Sequence, residues 1–97
     1  MGYYFFKLIP PRSDFQQTMT EQETNIMKEH SIYWRGLQDK GIAPVFGPVL
    51  DPKGTWGLGI IEIDNEIEAD KLTENDPAIN TKLCTVEIHP MIAVVKK

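Results

Sequence analysis

Residues 20–63 read TEQETNIMKEHSIYWRGLQDKGIAPVFGPVLDPKGTWGLGIIEI and hold one helix followed by one hairpin. Thr20-x-x-Glu23 is a capping box, in which the hydroxyl and the carboxylate each satisfy an orphan backbone N–H at a helix start. The helix runs to about Lys40 and stops at Gly41, the position where a left-handed residue ends a helix. Ile42–Leu50 then reads as strand two, with Gly47-Pro48 marking a bulge or a sheet edge because proline lacks a donor. Asp51-Pro52-Lys53-Gly54 is a turn signal. Trp56–Ile63 is strand three, paired with strand two as a hairpin.

Upstream, Tyr3–Ile9 is an aromatic and β-branched run closed by Pro10-Pro11, which reads as strand one. Pro11–Met19 is a polar connection. Downstream, Asn65-x-x-Glu68 starts a second helix that runs to about Asn75, and Pro77 biases Asp76 away from the helical region. Lys82–Val95 is strand four, with a bulge or kink at Pro90. The order β-α-β-β-α-β is the ferredoxin-like α+β arrangement, a four-stranded antiparallel sheet with two helices on one face.

The strands are apolar on both faces. Tyr3 and Phe5 alternate with Tyr4, Phe6 and Leu8, and Leu58 and Ile60 alternate with Ile61 and Ile63. Two helices cover one face only, and a sheet with one face in water should alternate apolar with polar residues. The pattern therefore predicts that a second copy covers the other face. The result is a homodimer built as a dimeric α+β barrel with an isologous interface.

The chain has 97 residues, which predicts a single domain over 1–97. Its hydrophobic share of 41% and charged share of 25% are ordinary for a folded globular protein and exclude a disordered one. Ten basic and fourteen acidic residues give a net charge of −4, which argues against nucleic acid or an anionic membrane as partner. No apolar run approaches the roughly 18 residues of a membrane span. No signal peptide is expected at Met1–Pro10, and Cys84, the single cysteine, permits no internal disulfide. The expected setting is the cytoplasm.

The first helix carries the chemistry. At roughly 100° per residue, Ile26, Met27, His30, Tyr33, Trp34 and Leu37 share an arc of roughly 120°, with His30 near its centre. That histidine is aimed at the sheet. The structural alternative is a core histidine bonded to a backbone carbonyl. On the second helix Ala69, Leu72 and Thr73 share a face that Asp76 continues, so Asp76 projects toward the same seam. A carboxylate facing an imidazole is the pairing that orients a general base and fixes its tautomer. His30 and Asp76 are thus the candidate catalytic residues. Tyr33 and Trp34 are candidate pocket-lining residues, Arg12 and Arg35 candidate anchors for an anionic group, and His89 on strand four a secondary candidate. Core packing, surface solvation and a plain polar strand position are the structural alternatives for these. No spacing supports a metal site, and the glycines of Gly54-Thr55-Trp56-Gly57-Leu58-Gly59 lack the following helix that phosphate binding needs.

The run of Met19-Thr20 with Glu23, His30, Gly41, Gly47-Pro48-Val49, Asp51 with Gly54, Gly57, Asp76-Pro77 and Glu87-Ile88-His89-Pro90-Met91 resembles the YciI-like family over about residues 3–95. The resemblance implies the dimeric α+β barrel fold and an enzyme site built on a His/Asp pair, here His30 and Asp76. Most members have no assigned substrate. One is a dehydrochlorinase of chlorinated hydroxyquinols, and related barrels include muconolactone isomerases and cofactor-free quinol monooxygenases. The expected function is acid–base chemistry on a small, ring-derived substrate by elimination, isomerisation or dehydrochlorination, with no cofactor and no metal required. Two rival readings stay open: a non-catalytic small-molecule-binding or accessory module, and a cofactor-free quinol monooxygenase. The Pro10–Met19 connection is expected to form a lid or the mouth of the pocket.

Overall fold

A computed structural model describes residues 2–96. The chain runs β1 (Gly2–Ile9), α1 (Phe15–Thr18), α2 (Glu21–Asp39), β2 (Val45–Val49), β3 (Trp56–Ile63), α3 (Glu66–Glu74), α4 (Pro77–Asn80) and β4 (Thr85–Met91). The four strands form one antiparallel sheet in the order β2-β3-β1-β4. This is the ferredoxin-like α+β arrangement.

Local chemistry sets the main boundaries. The Thr20 hydroxyl accepts from the Glu23 amide at 3.1 Å, and the Thr20 amide donates to Glu23 Oε1 at 2.9 Å, which completes the capping box of α2. Gly41, at φ +77°, closes the helix in the left-handed region that glycine enters at no steric cost. Asn65 caps α3 by accepting from the Glu68 amide at 3.0 Å.

The structure corrects four expectations. Strand two is shorter than Ile42–Leu50, because the Ile42 and Ala43 amides both turn back to the Leu37 carbonyl at the end of α2. The polar connection contains the one-turn helix α1. A second short helix, α4, follows α3. Lys82 at φ +64° and the Cys84 amide, bonded to the Ala78 carbonyl, form its exit, so strand four begins at Thr85 rather than Lys82. At its far end β4 stops at Met91, whose partner Tyr3 lies at the start of β1, and Ile92–Val95 extend beyond the ladder. Neither Gly47-Pro48 nor Pro90 slips the register. Both lie on edge strands, where a missing donor costs no ladder bond.

Phe6, Leu8, Ile61 and Ile63 face the helices and are buried with Trp34, Leu37 and Ala69. Ile61 is fully enclosed, a burial worth about 1.5–3 kcal/mol. The opposite face carries Phe5, Trp56, Leu58 and Ile60, all half-buried, with Lys7 Nζ lying 4.8 Å above the Trp56 ring. No helix among the described residues is long and apolar enough to cross a membrane.

Candidate active site

The centre of the site is a carboxylate tied down from two helices. Asp76 is the N-cap of α4, where Oδ1 accepts from the Ala78 amide at 2.9 Å and Pro77 takes the first helical position. An aspartate fits this place because its short side chain reaches the orphan amides of a helix start. The residue is only 3% exposed. His30 and Trp34 lie four residues apart on α2 and therefore on one face of that helix. His30 Nδ1 is 2.9 Å from both carboxylate oxygens, and Trp34 Nε1 donates to Oδ2 at 2.8 Å.

These partners fix the imidazole's orientation. A backbone amide and an indole N–H only donate, so Asp76 is held as an acceptor and His30 Nδ1 carries the proton between them. Nε2 is then the atom that accepts a proton. It has no protein hydrogen bond, and no side-chain nitrogen or oxygen among the described residues is both buried and unpartnered. Nε2 therefore touches accessible space. His30 and Asp76 both line a cavity of about 260 Å³ between the helices and the sheet. Its other walls are mostly apolar, from Phe6, Leu8, Phe15, Met27, Phe46 and Val86. Cys84 also lines it, and burial, reinforced by the nearby Asp76 charge, pushes its thiol up to about 11.

Of the residues singled out in the sequence, the structure brings His30, Asp76 and Trp34 together. It leaves four outside the cavity. Arg12 clasps Glu23 through Nη2–Oε1 at 2.7 Å and Nη1–Oε2 at 3.1 Å and also bonds Thr18, so it fastens α1 to α2 and is not free to anchor an anion. The same contact holds the Glu23 carboxyl down at about 2. Tyr33 donates to the Leu72 carbonyl at 2.7 Å and links α2 to α3; burial, then the Asp76 charge, raises its hydroxyl pKa. Arg35 is exposed on the outer side of α2. His89 projects from the open face of the sheet, its side chain 63% exposed and stacked on Phe5. Pleat parity is the reason. His89 pairs with Phe5, whereas the cavity side of β1 carries Phe6 and Leu8.

Sequence reasoning missed two further features. Trp34 is the second side-chain donor to Asp76, a role that its i+4 spacing from His30 signals. Gly57 and Gly59 alternate on the helix-facing side of β3, and a Cβ on Gly59 would lie 2.5 Å from Trp34 Cη2. The glycines of that segment thus make room for Leu8 and for the Trp34 ring. Glycines two apart beside a helix rich in aromatics are the signal. Within the expected lid, Phe15 and Met19 reach the cavity wall, and they are the apolar residues of an otherwise polar stretch.

Fold and site together define an α+β domain with a His–Asp pair in the cleft between sheet and helices. The family model of the YCII-related domain matches residues 4–92, and the chain belongs to that family. Among solved structures it is similar to the 5-chloro-2-hydroxyhydroquinone dehydrochlorinase of Burkholderia phenoliruptrix AC1100, determined in complex with 2,5-dihydroxybenzoquinone. The TM-score is 0.64 at 21% identity, covering 89% of this chain and 90% of that one. Among curated proteins no sequence matches the chain. No group of three or more His, Cys, Asp or Glu side chains placed to hold a metal ion is present among the described residues.

Proposed function

We propose that the chain is an enzyme that moves protons on a small, ring-derived molecule, with His30 as general base and Asp76 as the group that orients it. One observation carries this reading. The imidazole is bonded at 2.9 Å to a buried carboxylate, and not to a backbone carbonyl, at the wall of a cavity large enough for one substituted ring. A cavity of about 150 Å³ accommodates benzene, so about 260 Å³ leaves space for ring substituents.

A dehydrochlorination fits this equipment and the likeness to a dehydrochlorinase. Nε2 takes a proton from a ring hydroxyl. Return of that proton to the carbon bearing chlorine gives the keto form. Chloride then leaves with the bonding pair as a second hydroxyl loses its proton, so the net loss is HCl. Asp76 stabilises the imidazolium formed on the way, and a positioned base contributes about 10²–10⁴ in rate.

Two copies are also proposed to pair through the open sheet face that carries Phe5, Trp56, Leu58 and Ile60, which would complete the barrel.

Chloride release from 5-chloro-2-hydroxyhydroquinone, measured for the wild type, His30→Gln and Asp76→Asn, tests the reading. The wild type should turn the compound over. His30→Gln should reduce the rate by about a hundredfold or more with the fold retained by circular dichroism. A folded His30→Gln protein that turns over at the wild-type rate refutes the assignment, and binding without turnover by the wild type moves the chain to the accessory class.

A further inference from the structure

We infer that the cavity takes an uncharged ring carrying hydroxyl or keto oxygens and turns away ring carboxylates, sulfonates and phosphates. The inference rests on the proposed role of the same cavity and concerns which ligand chemistry its wall accepts.

The wall's charge comes first. Among its lining residues there is no lysine and no arginine. The only ionisable groups in it are His30, Asp76 and Cys84. The Cys84 thiol, pushed up to about 11, is uncharged near neutrality. The His30–Asp76 pair is negative when the imidazole is neutral and neutral overall when the imidazole is protonated. In neither state is the wall positive. An anion brought in would meet the Asp76 carboxylate with no lysine or arginine to offset it, and a protonated His30 is already paired with that carboxylate; an uncompensated charge taken out of water is strongly disfavoured. Arg12, the cation within the Pro10–Met19 segment, is already spent on Glu23.

The wall's hydrogen-bonding sense points the same way. The Ser31 hydroxyl donates to the Met27 carbonyl at 3.1 Å, and the Thr73 hydroxyl to the Ala69 carbonyl at 3.0 Å. The Thr55 hydroxyl donates to Gln16 Oε1 at 3.0 Å. Each hydroxyl has used its proton and keeps lone pairs. His30 Nε2 likewise presents a lone pair when the ring is neutral. The side-chain wall is therefore rich in acceptors and poor in donors, with the Gln16 amide N–H groups and the weakly donating Cys84 S–H as its free ones among the described residues. A phenolic O–H supplies the donor that such a wall lacks. A carboxylate, sulfonate or phosphate only accepts and needs what the wall does not provide.

The test is a matched set of three probes: hydroquinone, 2,5-dihydroxybenzamide and 2,5-dihydroxybenzoate. The amide and the carboxylate have nearly the same size and differ in charge. Binding to the wild-type protein at neutral pH is followed by calorimetry. Occupancy of the cavity is checked by the indole N–H signal of Trp34, which lines it beside His30; the Trp56 indole, on the opposite sheet face and bonded to Asp51, serves as the reference signal. Hydroquinone and the amide should bind and move the Trp34 signal, and the carboxylate should bind at least about tenfold more weakly than the amide. Equal or tighter binding of the carboxylate overturns the inference. So does rejection of the amide together with the carboxylate, which would make size the filter, and so does failure of all three to bind. No step depends on turnover. Loss of the enzymatic reading with this preference intact, or the reverse, is therefore directly visible.

Discussion

Replacing Gly59 by alanine tests how the site is held. Gly59 lies on β3 between Phe6 and Phe46 of the neighbouring strands, directly beneath the Trp34 ring. A Cβ there would sit 2.5 Å from Trp34 Cη2 and 2.6 Å from Cζ3, closer than carbon atoms approach. The indole is rigid and buried, so it relieves the clash only by tilting as a whole. Its other end is the Nε1–Asp76 bond of 2.8 Å, so tilting strains the contact that steadies the carboxylate. Overpacking costs about 1–3 kcal/mol, and a hydrogen bond to a charged group is worth about 1.5–3 kcal/mol. Alanine returns about 0.5–1 kcal/mol by restricting the unfolded backbone. A net loss of about 1.5–5.5 kcal/mol follows from these terms, a large part of the 5–15 kcal/mol typical of a domain. The melting temperature should fall by at least about 6 °C. Urea titration of the wild type, Gly59→Ala, Trp34→Phe and the double variant isolates the cause. Phenylalanine lacks the outer ring atoms, so in its presence the alanine should cost less than about 1 kcal/mol. An unchanged penalty in the Trp34→Phe background refutes the steric argument.

Three further outcomes are expected. Glu23 titrates near 2 when folded and near 4.5 in its unperturbed state, so its stabilising contribution is present above about 4.5 and is lost as pH falls toward 2. Urea midpoints across that window should decline more steeply for the wild type than for Arg12→Ala, and parallel profiles would remove the Arg12–Glu23 clasp as the cause. The Cys84 thiol is buried, so a thiol reagent at pH 8 should label it slowly in the native protein and rapidly in urea; equal rates would show that the cavity wall around it is open. Finally, Leu58→Asp on the open face of the sheet should convert a pair of chains to single chains in sedimentation velocity, while a wild type that already sediments as one chain refutes the pairing.

The path from sequence to site was uneven for physical reasons. The capping box at Thr20 and Glu23 and the stop at Gly41 are local, because caps satisfy backbone groups within a few residues, and both stand where the sequence puts them. The span of β3 is also as read. The direction of His30 follows from helical phase alone. The Arg12 clasp is not legible locally, because its partner Glu23 is eleven residues away across the short helix α1. Pleat parity separates His89 from Val86 and Ile88 but does not reveal which face a helix covers.

By itself the sequence determined the order of the four strands and the two longer helices, the ends of the longest helix, and the facing of one histidine, all set by periodicity and by hydrogen bonds that close over a few residues. Only the tertiary structure decided that Asp76 closes to 2.9 Å on His30, that Trp34 shares that carboxylate, and that Gly59 gives way to the indole. Those contacts join residues separated by 46, 42 and 25 positions. Their existence depends on how two helices settle on one sheet, which no local pattern encodes.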